Sequence, residues 1–157
     1  MTDVDVDVSC VIRAAKAADV PAMAGLLAEL FRIETEFAVD RAKQERALRM
    51  IIERPSAAAW VAECGGQVVG MVTAQTVVST AEGGESVWIE DVVVHEGWRR
   101  RGIGRRLVQA VEQWCGGRGV TRMQLLADCS NEAACEFYPK RGWARTGMAA
   151  FRKHVPG

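Results

Sequence analysis

Residues Trp98 to Leu107 read Trp-Arg-Arg-Arg-Gly-Ile-Gly-Arg-Arg-Leu, which sets five arginines around two closely spaced glycines. An apolar run, Val87 to Val94, precedes this segment, and a helical pattern follows it. Glycine lets the backbone approach a phosphate closely, and the N-terminus of a following helix attracts negative charge. Arginine side chains add forked, charge-assisted hydrogen bonds. The segment therefore predicts an anion-binding loop between a strand and a helix.

The whole chain has the composition of a globular protein. Its 157 residues are 49% apolar, which suits one compact domain, 1–157, with residues 1–10 as a flexible or edge-strand N-terminus. Basic and acidic residues number 20 each, so the arginine cluster is local and no nucleic-acid partner is expected. No apolar run reaches membrane-spanning length, so we expect no membrane contact and a cytoplasmic location.

The five cysteines are odd in number and have no Cys-x-x-Cys spacing. In a cytoplasmic protein this pattern favours reduced thiols that pack in the interior. We therefore expect no disulfide among Cys10, Cys64, Cys115, Cys129 and Cys135.

Strand and helix patterns alternate along the chain, which predicts a mixed α/β fold. Strands are predicted at Val11–Arg13, Trp60–Glu63, Val68–Val78, Val87–Val94, Thr121–Ala127 and Trp143–Val155. Helices are predicted from a cap at Asp19, from Asp40 to the residue before Pro55, from the glycines to Gly116-Gly117, and over Asn131–Lys140. Gly65-Gly66 predicts a hairpin turn, and the segment from Val87 through Ala127 predicts one parallel crossover.

Two motifs in this order resemble the signatures of one family. Arg99 to Gly104 fits Arg/Gln-x-x-Gly-x-Gly/Ala, and Asn131 to Tyr138 fits Asn-x-x-Ala-x-x-Phe-Tyr, with Gly142-Trp143 as a trailing Gly-aromatic pair. The chain thus resembles the GNAT superfamily, which transfers acyl groups from acyl-coenzyme A to amines. Nucleotide-binding alternatives fit less well, because Gly-Lys-Ser/Thr is missing and Leu107 takes the place of a third glycine.

The resemblance implies a fold and an activity. The fold is α/β (α+β), with a mixed, mostly antiparallel sheet of six to seven strands that splays at its central parallel pair, and about four flanking helices. The activity is that of an acetyl-CoA-dependent N-acetyltransferase, with acetyl-CoA as acyl donor and no metal. A non-catalytic acyl-CoA sensor is the main alternative, and an RNA-binding domain is a third.

The resemblance also implies which residues contact the coenzyme. The main chain from Arg100 to Arg105 would wrap the pyrophosphate while Arg99 braces the loop, and Arg106 would be helix surface. The strand ahead of the loop would pair with the pantetheine arm, and an amide of Val93 or Val94 would polarise the thioester carbonyl. Asn131 would contact the same arm or cap a helix. The expected coenzyme-binding residues are Val92, Val93, Val94, Arg99, Arg100, Arg101, Gly102, Ile103, Gly104, Arg105 and Asn131.

Three residues are the expected catalytic groups. Tyr138 falls where the family keeps its general acid, although Pro139 disfavours helical geometry there. Ile89 to Val94 is similar to a strand of glucosamine-6-phosphate N-acetyltransferases, whose acidic residues lie near the amine. That similarity favours Glu90 as the base, with Asp128 as an orienting carboxylate.

Other bases stay open on the sequence alone. Glu90 and Asp91 would face opposite sides of a regular strand, so only one would point into a given cleft. Asp91, His95 and a water remain alternatives to Glu90. A purely structural ion pair is also open for each carboxylate.

The acceptor is the least determined feature. The resemblance implies a primary amine of a small molecule or peptide. Acidic residues in two loops would suit a cationic amine, although charged residues in loops are usually solvated. These loop residues are Glu34 and Glu36, beside Phe37, and Glu82 and Glu85. A homodimer formed through the Trp143–Val155 edge is left open.

Overall fold

The computed structural model describes residues 9–34 and 36–157. Its strands are β1 (Cys10–Ala14), β2 (Ala57–Cys64), β3 (Gln67–Ser79), β4 (Gly84–Val94) and β5 (Met123–Leu125). Its α-helices are α1 (Val20–Ile33), α2 (Arg41–Glu53), α3 (Ile103–Gly117) and α4 (Glu132–Phe137), and short 3-10 turns occupy Ala17–Asp19, Glu96–Trp98 and Pro139–Arg141. The expectation for residues 1–10 falls mainly outside the described residues, although Cys10 begins the edge strand β1.

The five strands form one sheet in the order β1-β2-β3-β4-β5. The first three pairings are antiparallel, and β4 and β5 are parallel. Gly65 and Gly66 both have positive φ, 57° and 79°, as the predicted tight hairpin turn requires. The mixed, mostly antiparallel sheet is confirmed, with five strands in the described residues where six to seven were expected.

Helices cover both faces of this sheet. Val61, Met71 and Val93 are neighbours across three strands and belong to the buried cluster that α1 and α2 also supply. On the opposite face a Cβ added to Gly70 would lie 3.1 Å from Leu107 Cδ1 of α3. Helix α3 therefore rests directly on the backbone of β3, which fixes the height of its N-terminus above the sheet.

The two predicted helix caps behave differently. Asp40 caps α2, because its side chain accepts the Lys43 N–H at 3.2 Å. Asp19 does not cap α1, because its carboxylate accepts the Lys16 N–H and both terminal nitrogens of Arg13. These bonds hold the pKa of Asp19 below its ordinary value, chiefly through the Arg13 guanidinium.

The expectation of reduced thiols is wrong for two of the cysteines. Cys10 and Cys64 are direct partners across β1 and β2, with their Cα atoms 4.2 Å apart, and they form a disulfide. Sheet register brings them together, which the sequence does not show because they are 54 positions apart along the chain. Cys115, Cys129 and Cys135 are free.

The chain forms two compact units, which divide after Leu126. The second unit contains α4 and the turn at Pro139–Arg141. The prediction of a strand over Trp143–Val155 is wrong, since the described residues there form no strand. A strand needs a paired neighbour, and here the apolar side chains are open to solvent, with Met148 86% and Phe151 97% exposed.

Candidate active site

Strand β4 loses one of its neighbours halfway along. Its parallel pairing with β5 ends at Ile89 and Leu125, while β4 continues to Val94. On its other edge, β3 still pairs with it through Met71 and Val93. Within residues 9–126, the edge of Glu90–Val94 that faces away from β3 has no strand partner. This confirms the expected splay of the central parallel pair.

A β-bulge interrupts β4 at the point where the splay begins. Met71 opposes Val93, but Thr73 opposes Glu90, so β4 holds one residue more than β3 across this interval. Asp91 lies in the interval with φ of 56°, a left-handed conformation that Asp tolerates better than most side chains. Side chains therefore do not alternate regularly between the two faces of the sheet at Glu90 and Asp91. The expectation that these two residues face opposite sides assumed a regular strand and does not apply here.

The bulge places Asp91 in an unusual electrostatic environment. The pKa of Asp91 is raised to about 6, chiefly by burial and then by the negative charges of Glu90 and Glu34, while a hydrogen bond from Thr73 lowers it. Thr73 Oγ1 lies 3.3 Å from Asp91 Oδ2 and 3.1 Å from the Glu90 carbonyl oxygen. Thr73 is fully buried, whereas Glu90 is exposed. Asp91 can thus exchange a proton near neutral pH.

The glycine loop, Arg99–Gly102, joins this strand region to α3. Arg100 and Gly102 both have positive φ, 64° and 76°, and α3 begins at Ile103. The Arg106 N–H bonds to the Gly102 carbonyl and closes the first helical turn. The N–H groups of Ile103, Gly104 and Arg105 come before that bond and point out of the helix N-terminus. This arrangement of N–H groups suits an anion.

The five arginines of this segment have different surroundings. Arg99 donates to the Val94 carbonyl and to Glu29, and these contacts fit the bracing role that the resemblance implied. Arg101 lies over the Trp98 ring at 4.8 Å, and Arg106 donates to the Cys10 carbonyl at 2.9 Å. Arg100 and Arg105 are exposed.

His95 caps the 3-10 turn at Glu96–Trp98. The side-chain Nδ1 atom accepts the Gly97 N–H at 3.1 Å, and the backbone N–H of His95 donates to the Val69 carbonyl. The side chain is exposed. It therefore lies on the loop surface after β4, which matches its interpretation as a loop residue.

In the second unit, Tyr138 and Asn131 lie at opposite ends of α4. Asn131 caps the helix by accepting the Ala134 N–H, as one alternative predicted. Tyr138 ends it with helical angles, φ −72° and ψ −47°, so the expected effect of Pro139 is wrong. The chain keeps turning because Pro139 occupies the first position of a 3-10 turn, where proline fits. The Tyr138 ring packs edge-on against Phe137 and Trp143.

Asp128, also in the second unit, differs from Asp91. Its Oδ1 accepts both the Ser130 hydroxyl at 2.6 Å and the Ser130 N–H at 2.8 Å. These bonds hold the pKa of Asp128 below its ordinary value. Such a carboxylate stays charged, which suits an orienting role better than proton transfer.

The acidic residues of the two loops have different electrostatic surroundings. Glu85 is bound by Arg118, and Glu82 lies 3.5 Å from Arg122, so both acids of the hairpin loop have cationic partners inside the chain. Glu34, after α1, instead adds negative potential at Asp91. Sequence reasoning named Glu34 but missed Thr73, since pairing across β3 and β4 is not visible in a local pattern.

Comparison with known proteins agrees with this geometry. A profile of the Acetyltransferase (GNAT) family matches residues 25–143, and the chain belongs to that family. It is 34% identical over 88 residues to N-acetyltransferase family 8 member 2 of Rattus norvegicus, a match that covers 56% of this chain and 39% of that protein. The chain therefore spans about two fifths of that relative's length.

Solved structures share the fold at low sequence identity. A possible acetyltransferase from Clostridium difficile 630 superposes with a TM-score of 0.82 at 19% identity, covering 94% of this chain and 99% of that one. The aminoglycoside N-acetyltransferase AAC(6')-Iy, solved in complex with CoA, gives 0.81 at 19% identity, covering 92% and 94%.

Neither a membrane-spanning helix nor a metal-binding cluster is found among the described residues. No helix there is long and apolar enough to cross a bilayer. No three His, Cys, Asp or Glu side chains in residues 9–34 and 36–157 group so as to hold a metal ion.

Proposed function

We propose that this protein transfers an acetyl group from acetyl-CoA to a primary amine of a small molecule or peptide, by direct attack in a ternary complex. The observation that carries the proposal is the continuity of β4 and α3. A strand with one open edge runs into a loop with two positive φ angles, and that loop ends at a helix N-terminus. One domain spanning residues 1–157 would carry the whole site.

The residues present fit coenzyme A. Its pyrophosphate is an anion, and the first N–H groups of α3 together with the exposed Arg100 and Arg105 suit that charge. The open edge at Val92–Val94 offers backbone groups to an amide-containing arm, while the Val93 side chain packs in the core. Bound acetyl-CoA supplies an activated acyl group as a thioester. An amide of Val93 or Val94 would donate to its carbonyl oxygen.

The proton acceptor belongs to the Glu90–Asp91 pair. The sequence favours Glu90, and the environment favours Asp91, because the pKa of Asp91 is raised to about 6, chiefly by burial. A base with this pKa is ionised at neutral pH and still accepts a proton from an ammonium group before attack. We propose Asp91 as the base, with the charge of Glu90 tuning it.

The other proposed roles rest on the resemblance. Tyr138 would protonate the leaving thiolate, Asn131 would contact the pantetheine arm, and Asp128 would orient the amine as a charged acceptor. The acceptor side is acidic through Glu34 and the Glu90–Asp91 pair, which supports a cationic amine. The exposed Met148 and Phe151 motivate a homodimer through the C-terminal segment.

Titration calorimetry with acetyl-CoA tests the proposal. We expect the wild-type protein to bind and Gly104→Glu to lose binding, because a carboxylate would repel the pyrophosphate at the start of α3. Circular dichroism checks that the variant is folded. A wild-type protein that does not bind acetyl-CoA would refute the function.

A panel of amines, with free thiol release as the readout, then separates an enzyme from a sensor. Release of coenzyme A with any acceptor supports acetyl transfer. Binding without release across small amines, polyamines and peptides would favour the non-catalytic alternative.

A further inference from the structure

The carboxylate of Glu29, on α1, meets the chain where the glycine loop begins. Its Oε1 atom accepts the Glu96 N–H at 2.8 Å and an N–H of Arg99 Nη2 at 3.1 Å. Arg99 in turn donates through Nε to the Val94 carbonyl at 3.0 Å. One carboxylate therefore holds the 3-10 turn directly and, through Arg99, the last residue of β4.

These bonds fix the start of the glycine loop. His95 and the turn Glu96–Trp98 connect β4 to the loop, and the first N–H of that turn is bound to Glu29. The left-handed residues Arg100 and Gly102 follow within a few positions. A loop already held in one conformation loses less entropy when a ligand binds to it, so its affinity is higher.

We propose that Glu29 is a positioning residue for the coenzyme: it holds Glu96 and Arg99 in place and raises affinity for coenzyme A without touching it. The inference rests on the proposed function, since the glycine loop must bind the coenzyme. It assigns a role to α1, which lies outside both sequence signatures.

We expect helix α1 to stay in place when Glu29 is replaced. Met23, Leu26, Leu27 and Leu30 are buried and anchor the helix, while Glu29 is 21% exposed. Glu34, which acts on Asp91, follows the same helix. A change confined to the Glu29 carboxylate should therefore weaken coenzyme binding and leave the pH dependence set by Asp91 unchanged.

Calorimetric titration with acetyl-CoA measures this effect. For Glu29→Ala we expect the dissociation constant to rise about 10-fold, the equivalent of one partly exposed charge-assisted bond. For Glu29→Gln we expect a smaller rise, because the amide oxygen still accepts the Glu96 N–H. With an acceptor found, kcat at saturating acetyl-CoA and the midpoint of the pH profile should stay at wild-type values while KM for acetyl-CoA rises.

Glu45→Gln is the matched control. Glu45 lies on α2, is 22% exposed, and pairs with Arg41 and Arg49. It has the same chemistry as Glu29 but no contact with the loop, so its removal should leave acetyl-CoA affinity unchanged. Equal weakening in the Glu45→Gln control and in the Glu29 variants would overturn the inference.

A double-mutant cycle with Arg99→Met tests whether Glu29 acts on coenzyme binding through Arg99. If Glu29 acts through Arg99, Glu29→Gln should not weaken binding further in the Arg99→Met background. Fully additive effects would overturn the inference, as would unchanged affinity in folded Glu29→Ala and Glu29→Gln proteins. Both outcomes leave the proposed function standing, because that function fails only when wild-type protein does not bind acetyl-CoA.

Discussion

The two halves of β4 belong to one continuous strand but have different neighbours. The first half runs from Gly84 to Ile89 and pairs with β3, and from Val87 to Ile89 it lies between β3 and β5, where Val87 and Ile89 are fully buried. From Glu90 to Val94 its only strand partner within residues 9–126 is β3, and this half contains the bulge at Asp91 and two acidic side chains beside its valines. The first half stabilises the sheet. The second half has an edge with no strand partner within residues 9–126, and it carries a half-buried, titratable carboxylate.

The difference between the halves shows that an apolar run in the sequence does not reveal how much of a strand is buried. Three consecutive valines, Val92–Val94, suggest a strand buried on both faces. Only Val93 is buried, and its neighbours on each side are partly exposed. A strand edge that a chain leaves unpaired has unused hydrogen-bonding capacity, which is an unfavourable feature unless a ligand takes it up.

Asp91→Asn should have the largest effect on the second half. We expect kcat to fall about 100- to 1,000-fold, since the variant lacks a base. Asn tolerates the left-handed angle, so the backbone should be kept. Stopped-time assays of thiol release across pH measure the effect. If the rate no longer falls at acidic pH with a midpoint near 6, the result supports Asp91 as the base. If the rate stays at the wild-type value, Asp91 is not part of the mechanism.

Glu90→Gln is the control for this variant. Because the charge of Glu90 raises the pKa of Asp91, its removal should move the acidic limb to lower pH without abolishing the rate. Abolished turnover in Glu90→Gln, with a shifted limb in Asp91→Asn, would instead assign the base to Glu90.

Asp91→Asn should also change the stability of the protein. The folded pKa of Asp91 lies above its ordinary 3.8, so the folded state binds more protons between pH 4 and 6, and stability falls as pH rises through that window. At pH 7, Asp91→Asn should therefore be more stable than wild type, by up to about 3 kcal/mol. Urea unfolding at pH 4 and pH 7 checks this, and a gain that is equal at both would contradict the assignment.

Alanine substitutions in each half sharpen the comparison at a smaller scale. Ile89→Ala should cost about 3 kcal/mol of unfolding free energy, because Ile89 is only 1% exposed. Val92→Ala should cost about 1 kcal/mol or less, because Val92 is partly exposed and has β3 alone beside it. Equal costs in urea unfolding would mean that the two halves are packed alike.

The smallest effect is expected at the glycines beyond the strand. Gly102→Ala should cost about 1 kcal/mol, since φ there is 76°, and should weaken acetyl-CoA binding several-fold. Gly116→Ala is its control inside α3, where a Cβ meets nothing within 4 Å and the change should stabilise by about 0.5 kcal/mol. If the two variants have the same melting temperature, the left-handed φ angle of Gly102 does not constrain the loop.

Local chemistry explains what the sequence could predict. The Gly65-Gly66 turn, the Asp40 cap and the start of α3 at Ile103 depend on residues within a few positions of one another. The bracing role of Arg99 was implied by the family resemblance instead, and its partner Glu29 lies 70 positions away along the chain.

Pairing between distant segments explains what the sequence missed. The bulge at Asp91 exists only in register with Thr73, and its raised pKa depends on burial that no local pattern encodes. The Trp143–Val155 segment has strand-like composition but no paired neighbour in the described residues. Glu29 lies on an ordinary amphipathic helix, and only the fold brings it to Glu96 and Arg99.

The bond between Cys10 and Cys64 gives the protein a stability that depends on its surroundings. It closes a covalent ring that contains α1, α2 and β2, with 54 residues of separation between its ends. A ring of that size restricts the denatured chain and is worth about 4 kcal/mol in the chain-entropy view. A reducing agent would leave the folded contacts in place and enlarge the unfolded ensemble, so heat resistance would vary with the redox state of the sample.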